Sequence, residues 1–252
     1  MFVKDADRVI LEDLYRKAVL MKHGVITHAY PHCWRCQTPL LFRATDQWFL
    51  RVSELKQKIL EKNAERVRWV PDWVATRYAN GVESVGDWCI SRQRYWGIPL
   101  PIWACQRCPE TIVIGSLEEL KSKAKAEIGE IDLHRPAVDR VTLRCPRCGA
   151  EAKRVPDVLD VWFDSGIASW ASLGYPQQRE RFEQLWPSEF ITEGEDQVTK
   201  WFYSQQVVSI VAFDKVPYRV VLMHGFALDE HGRKMSKSLG NVVDPQEVID
   251  KY

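Results

Sequence analysis

Four cysteines constrain this chain more than any other feature. Cys105-x-x-Cys108 and Cys145-x-x-Cys148 are two short turns, each presenting a pair of thiols, set apart by a long intervening stretch. If both pairs hold one tetrahedral ion, the chain must leave the first turn, form a helix and return so that two distant knuckles face each other. Pro109 follows one pair and Gly149 the other, residues that suit the tight backbone of a knuckle. Four thiolates leave no open coordination position, so the expected zinc site is structural. Disulfides are the less expected use, because no secretory signal is legible at the start of the sequence. A reduced, metal-free pair of turns is the alternative. Cys33 and Cys36 form a third pair with no cysteine pair left to complete a second tetrahedron. His28 and His32 lie so close in sequence that they would make a strained chelate, so the expectation is an incomplete second site whose partners lie outside this sequence. Cys89, between Trp88 and Ile90, reads as a buried apolar thiol.

The bulk properties bound the rest. A chain of 252 residues, 46% hydrophobic and 27% charged, can bury a sizeable core as one large or two modest domains. The net charge of +1 does not announce a nucleic-acid partner, so any such contact must use local patches. No apolar run approaches the ~18 residues that span a bilayer.

Along the chain, Ile10, Leu14, Ala18 and Met21 predict an amphipathic helix over 5–22 with Gly24 as its cap. Strands are expected over 25–30 and 44–52, then a helix capped by Ser53 through Leu55, Ile59 and Leu60, with a proline turn at 69–73. The stretch from Asp87 is dense in arginine and aromatics until Pro99 and Pro101 forbid a helix. A surface helix is predicted over 115–130, a strand-like run through 157–166, a strand then turn over 191–196, and a mostly buried helix over 197–213. Asp244-Pro245-Gln246-Glu247 is a helix start, with Asp as cap and Pro in the first turn.

Near the end, Tyr218 to Phe226 reads as a buried strand closing in His224-Gly225, followed by Gly232-Arg233-Lys234-Met235-Ser236-Lys237-Ser238-Leu239-Gly240-Asn241. Lysine is a compact point charge on a flexible stem, suited to a polyphosphate that must be bound and released. A strand running into such a loop and then a helix is how an open α/β sheet presents a nucleotide site at its carboxyl edge. The plain alternative is a solvated basic loop.

Several strings together resemble the isoleucyl-tRNA synthetases of class I. They are Lys234-Met235-Ser236-Lys237-Ser238, the run from Ile90 to Pro99 (ISRQRYWGIP), Asp160-Val161-Trp162-Phe163-Asp164-Ser165-Gly166 and Glu193-Gly194-Glu195-Asp196-Gln197. Pro31 to Cys36 and Arg43 to Phe49 agree with them. The resemblance runs nearly end to end, and the wording of 168–176 leans towards archaeal sequences. It implies an α/β fold: the second half of a Rossmann-type nucleotide-binding fold, with a zinc-bearing insertion and the C-terminal remnant of an editing insertion. The implied segments are 1–75 for the editing remnant, 76–101 for the return into the catalytic core, 102–154 for the zinc insertion and 155–252 for the second half of the nucleotide fold.

The activity implied is ATP-dependent formation of isoleucyl-adenylate and transfer to tRNA(Ile), with ATP, Mg2+ and Zn2+ as cofactors. Matched residue by residue, Glu193, Gly194, Asp196, Gln197 and His224 hold the amino acid and its adenylate, while Trp162 and Trp201 wall the side chain. His224, Gly225, Lys234, Ser236 and Lys237 fall at the ATP, with the two lysines on its phosphates. Glu195 reads as surface. Such an enzyme is expected to be a cytoplasmic monomer. None of the histidines at 23, 28, 32, 134, 224 and 231 stands in the family's His-x-Gly-His motif, so the site is expected to be incomplete here. A valyl enzyme, or a non-catalytic zinc-bearing module that binds tRNA or nucleotide, are the competing readings.

Overall fold

The structure, a computed structural model, describes residues 3–33, 36–236 and 240–252. Trp34, Arg35, Lys237, Ser238 and Leu239 therefore lie outside the described residues. The chain divides into two units, Met1–Asp46 and Gln47–Tyr252.

In the first unit the expected helix over 5–22 is shorter, α1 (Ala6–Arg16), and none of its residues is buried. Its C-cap is Lys17, and Ala18 takes a left-handed φ of 55°, so Gly24 does not cap it. A helix of this length without a buried face has little to extend it. The strand expected over 25–30 does not form. Val25 and Ile26 are 89% and 80% exposed, and β-branched residues make a strand only where a neighbour pairs and packs. Among the described residues of this unit, the bridge from His32 to Pro39 is the one regular pairing.

The second unit opens with β1 (Phe49–Leu50), much shorter than the strand expected over 44–52. A 3-10 turn at Val52–Glu54 follows, and then α2 (Lys56–Arg66). Ser53 does not cap α2; its own backbone N–H donates to Asp87 Oδ1 at 2.9 Å. Next come β2 (Arg68–Val70) and, past the proline turn, α3 (Trp73–Ser84). β3 (Trp88–Cys89) pairs antiparallel with β1. Beyond it lies β4 (Ser91–Arg92). Cys89 is half-buried rather than buried, with its sulfur against the Gln47 side chain and 3.6 Å from Arg92 Nη1.

Residues 102–154 make their own sheet. β5 (Ile102–Cys105), β6 (Thr111–Val113), β7 (Thr142–Arg144) and β8 (Glu151–Arg154) pair antiparallel in the order β6-β5-β8-β7. Trp103, Ile112, Leu120, Val138, Leu143 and Ala152 form a core distinct from the main one. α4 (Leu117–Lys123) lies on the connection between β6 and β7, the sheet's edge strands, and is capped by Ser116 Oγ accepting from Glu119 N–H at 3.1 Å. It stops short of the expected 115–130 because Ala124 turns extended and bridges Leu143.

β9 (Val158–Leu159) pairs antiparallel with β4. The strand-like run expected through 166 ends there, and α5 (Val161–Gly166), α6 (Ala168–Ala171) and α7 (Arg179–Leu185) follow. Asp160 makes the break. Its buried carboxylate accepts from Trp88 Nε1 and Arg92 Nη2, both at 2.9 Å, and this fixes the chain where the helix starts.

The main sheet is a β-α-β unit with a third strand. β10 (Ser188–Gly194) leads through α8 (Trp201–Phe213) to β11 (Tyr218–His224), and the order is β10-β11-β2, all parallel. Residues 202–210 of α8 are buried without interruption, as expected for a helix apolar around most of its surface. Its core joins Phe202, Val207, Ile210, Tyr218 and Val221 to Val52, Ile59, Trp69, Val74 and Tyr78. Residues 49–84 thus share one core with 198–223, within the second of the two compact units. Last comes α9 (Pro245–Lys251), whose cap Asp244 accepts from Gln246 N–H at 2.9 Å, as its sequence predicts. Among the described residues, no helix is long and apolar enough to cross a membrane.

Candidate active site and metal centre

The parallel register decides where the candidate residues meet. Gly194 pairs with His224 and Glu193 with Met223, so β10 and β11 end side by side at the carboxyl edge. There the chain turns twice: β10 into a 3-10 turn at Glu195–Gln197, β11 into Gly225 and the basic loop. Gly194 is buried, and a Cβ on it would lie 3.2 Å from Asp196 Oδ1 and 3.7 Å from His224 Cε1. The absent side chain leaves room for the Asp196 carboxylate over the strand end, while the imidazole lies at ordinary contact distance.

The acidic groups differ in their surroundings. Glu193 is exposed, with Oε2 3.3 Å from the Gly194 N–H. Asp196 is half-buried; its Oδ2 accepts from Gln197 Nε2 at 3.0 Å and lies 3.7 Å from Lys200 Nζ. Glu195, expected at the surface, is paired with Arg77 at 3.2 Å. His224 Nδ1 lies 2.7 Å from the Gly225 carbonyl, which can only accept, so in this contact Nδ1 is the donor and Nε2 is left for other partners.

The two tryptophans stand on one helix pair. Trp201 opens α8 and donates from Nε1 to the Ser165 carbonyl at 3.0 Å; Trp162 lies on α5, three residues before that carbonyl. α5 approaches closely because position 166 is glycine. A Cβ there would sit 3.2 Å from the Ser204 carbonyl oxygen and 3.3 Å from Val208 Cγ2. Both tryptophans are half-buried.

Lys234 and Ser236 lie on the loop after β11, and Lys234 Nζ stands 3.3 Å over the Phe226 ring. Lys237 lies outside the described residues. Sequence reasoning missed Asp229 and Asn241, whose side chains hold this loop. The Asp229-x-x-Gly232 spacing of a turn was the available signal.

The four cysteines converge as expected. Their sulfurs all lie within 4.8 Å of one another, with Cys105 to Cys148 at 3.5 Å and Cys108 to Cys145 at 3.6 Å. Four sulfurs bound tetrahedrally at 2.3 Å would be about 3.8 Å apart, so the donor set fits zinc in number, type and spacing. The Arg107 backbone N–H, donating to Cys105 Sγ at 3.4 Å, is the main reason that thiol is lowered to about 6. Cys108 is drawn down by its Glu110 backbone contact, but burial and the thiols of Cys105, Cys148 and Cys145 push it up to about 12. The Cys105 sulfur is thus readier to ionise than that of Cys108. Among the described residues this is the one cluster of three or more histidines, cysteines or carboxylates at ligating distance. Among the described residues Cys33 and Cys36 belong to no cluster of three or more ligating groups, and His28 and His32 turn their Nδ1 atoms to the carbonyls of Ala29 and Tyr30. The Thr38 hydroxyl, 3.1 Å from Cys36 Sγ, leads the contributions that lower that thiol to about 7.

Comparison with known proteins gives the family. A family model described as tRNA synthetases class I (I, L, M and V) matches residues 4–252. The isoleucine–tRNA ligase of Methanocaldococcus jannaschii is 60% identical over 255 residues, covering 100% of this chain and 24% of that protein. That of Pyrococcus furiosus is 56% identical over 274 residues, covering 100% of this chain and 25% of its own length. This chain thus spans about a quarter of the relatives it matches. Among solved structures, Mycobacterium tuberculosis methionyl-tRNA synthetase in complex with methionyl-adenylate matches with a TM-score of 0.55 at 20% identity, covering 88% of this chain and 34% of that one. At that identity the likeness concerns the fold alone. By its family model, by its identity to isoleucine–tRNA ligases and by its mixed α/β fold, the chain belongs to the class I tRNA synthetases.

Proposed function

We propose that this chain is the part of an isoleucine–tRNA ligase that carries the second half of the nucleotide fold. Together with the rest of that enzyme it activates isoleucine with ATP and transfers it to tRNA(Ile). The observation that carries the reading is the Gly194–His224 register. It brings the Glu193–Gln197 turn and the basic loop to one sheet edge, in a chain 60% identical to such a ligase.

In this reading an isoleucine carboxylate oxygen attacks the α-phosphorus of ATP, the bond to the β-phosphate breaks, and pyrophosphate leaves with the electron pair. No protein nucleophile is required, so the chain's residues position and neutralise charge. Asp196 and Glu193 receive the α-ammonium, with Asp196 exchanging Lys200 for the ligand. Trp162 and Trp201 offer apolar walls to the branched side chain, while Gln197 and the Nε2 of His224 supply polar contacts to the adenylate. Lys234, Ser236 and Lys237 hold the phosphates of ATP, which arrives with its Mg2+. The four cysteines hold a structural zinc. Residues 1–46 are the end of an editing insertion, 102–154 a zinc-bearing insertion, and the remainder catalytic core. The enzyme is a cytoplasmic monomer.

Isoleucine-dependent ATP–pyrophosphate exchange tests the reading, with valine and leucine as controls. The chain by itself is expected to be inactive and to gain isoleucine-dependent exchange when the first half of the ligase is supplied. Valine-dependent exchange in that mixture would overturn the assignment to isoleucine. Lys237→Ala in the reconstituted enzyme is expected to slow exchange while leaving isoleucine affinity nearly intact.

A further inference from the structure

The basic loop is tied down by two side chains with no role in the chemistry just described. Asp229 is 10% exposed and collects four donors. Oδ1 accepts from the backbone N–H groups of His231 at 3.0 Å and Arg233 at 2.8 Å; Oδ2 accepts from Arg233 Nε at 2.9 Å and Asn241 Nδ2 at 2.8 Å. Asn241 lies on the far side of the basic run and uses both ends of its amide. Its Oδ1 accepts from the Ser236 N–H at 2.9 Å, and Nδ2 lies 3.4 Å from the Lys234 carbonyl. From the near side, Met235 N–H donates to the Ala227 carbonyl at 3.2 Å, and Lys234 bridges Leu228.

A carboxylate that only closed a turn would need the two backbone donors. Here two side-chain donors are added, from residues that bracket the lysine. The backbone of 234–236 is therefore held from both sides, while the Lys234 ammonium rests on the Phe226 ring. A cation over an aromatic face is held less strongly than an ammonium on a phosphate. The ammonium can leave the ring for a polyphosphate without the backbone moving, and a preorganised backbone loses little freedom on binding. We propose that Asp229 and Asn241 are positioning residues, a latch that presents Lys234 to the polyphosphate of the nucleotide. This rests on the reading of Lys234 as a phosphate ligand.

The test uses the 252-residue chain and inorganic tripolyphosphate, with calorimetric affinity and amide hydrogen exchange as readouts. Lys234→Ala and Asn241→Ala are each expected to weaken tripolyphosphate binding by about tenfold, the factor that one charge-assisted hydrogen bond supplies. Combined, they should be no weaker than Lys234→Ala alone, because Asn241 acts through the lysine. Exchange of the Ser236 amide should accelerate in Asn241→Ala and stay unchanged in Lys234→Ala, with equal unfolding midpoints. Asp229→Asn, which keeps the side chain's shape, should behave as Asn241→Ala if that variant fails to fold. Additive losses, or an Asn241 variant that binds as wild type, would overturn the latch. An unaltered chain that shows Ser236 protection but binds no tripolyphosphate would overturn the phosphate reading of Lys234, and the proposal with it.

Discussion

At the scale of residues, the least legible group is Arg154. Its side chain is 1% exposed, and it donates from Nε to Asp139 Oδ1 at 2.6 Å and from Nη1 to the carbonyls of Asp157 and Leu100. Arg135 adds a donor to Asp139 Oδ2 at 2.8 Å. Burial pushes the Asp139 carboxyl up, but the two guanidinium groups outweigh it and hold the pKa below the usual 3.8. Asp139→Asn leaves a buried cation unpaired and should cost about 3 kcal/mol in urea unfolding. Because the folded pKa is depressed, the carboxylate's contribution is complete above the unfolded value. It is lost as pH falls through the folded one, so wild type should lose stability below pH ~4 more steeply than the variant. Gly166→Ala should cost about 1–3 kcal/mol, since the nearest neighbour of the new Cβ is the backbone of α8. Local strings such as Glu193–Gln197 and Lys234–Ser236 could be read directly from sequence. Partners such as Asp139 and Arg154, or Asp229 and Asn241, could not, because only the folded chain brings the members of each pair together.

At the scale of elements, the antiparallel sheet of 102–154 packs a small core of its own, with the cysteine knuckles at its β5–β6 and β7–β8 turns. Structural zinc contributes about 10 kcal/mol in small metal-held folds, more than such a core supplies by itself. Chelation, or Cys145→Ser, should abolish binding of one zinc per chain. The amides of β5 to β8 should then lose protection while those of α8 and β11 keep theirs. Protected amides in a metal-free chain would show that the sheet holds without the ion. The knuckles were legible because C-x-x-C is a local pattern. The ends of α4 and the turn into α5 were not, because a bridge to Leu143 and the Asp160–Arg92 pair set them from distant residues.

At the scale of the whole molecule, the core ignores the order of the sequence. β2, from the first third of the chain, lies against β11 from the last, and Trp69 packs on Tyr78, Phe202 and Tyr218. A chain beginning at 76 would lose Val52, Ile59, Trp69 and Val74 from that core. At about 1.5–3 kcal/mol per buried side chain, the loss matches the whole stability of an ordinary domain. Such a chain is expected to show no cooperative unfolding transition by circular dichroism, whereas 47–252 should retain one.

The sequence by itself determined the family, the four-cysteine knuckle pair, the buried central helix, the strand that leads into the basic loop and the cap of the last helix. Within each knuckle, helix, strand and cap the informative neighbours stand a few residues apart, where spacing is geometry, while the meeting of the two distant knuckles is seen in the fold. Tertiary structure alone decided that residues 47–75 belong to the main core, that the strands expected over 25–30 and 44–52 shrink or vanish, and that Gly194 lies beside His224. These depend on which strands pair and in what register, and parallel pairing joins segments whose separation in sequence carries no information about their contact.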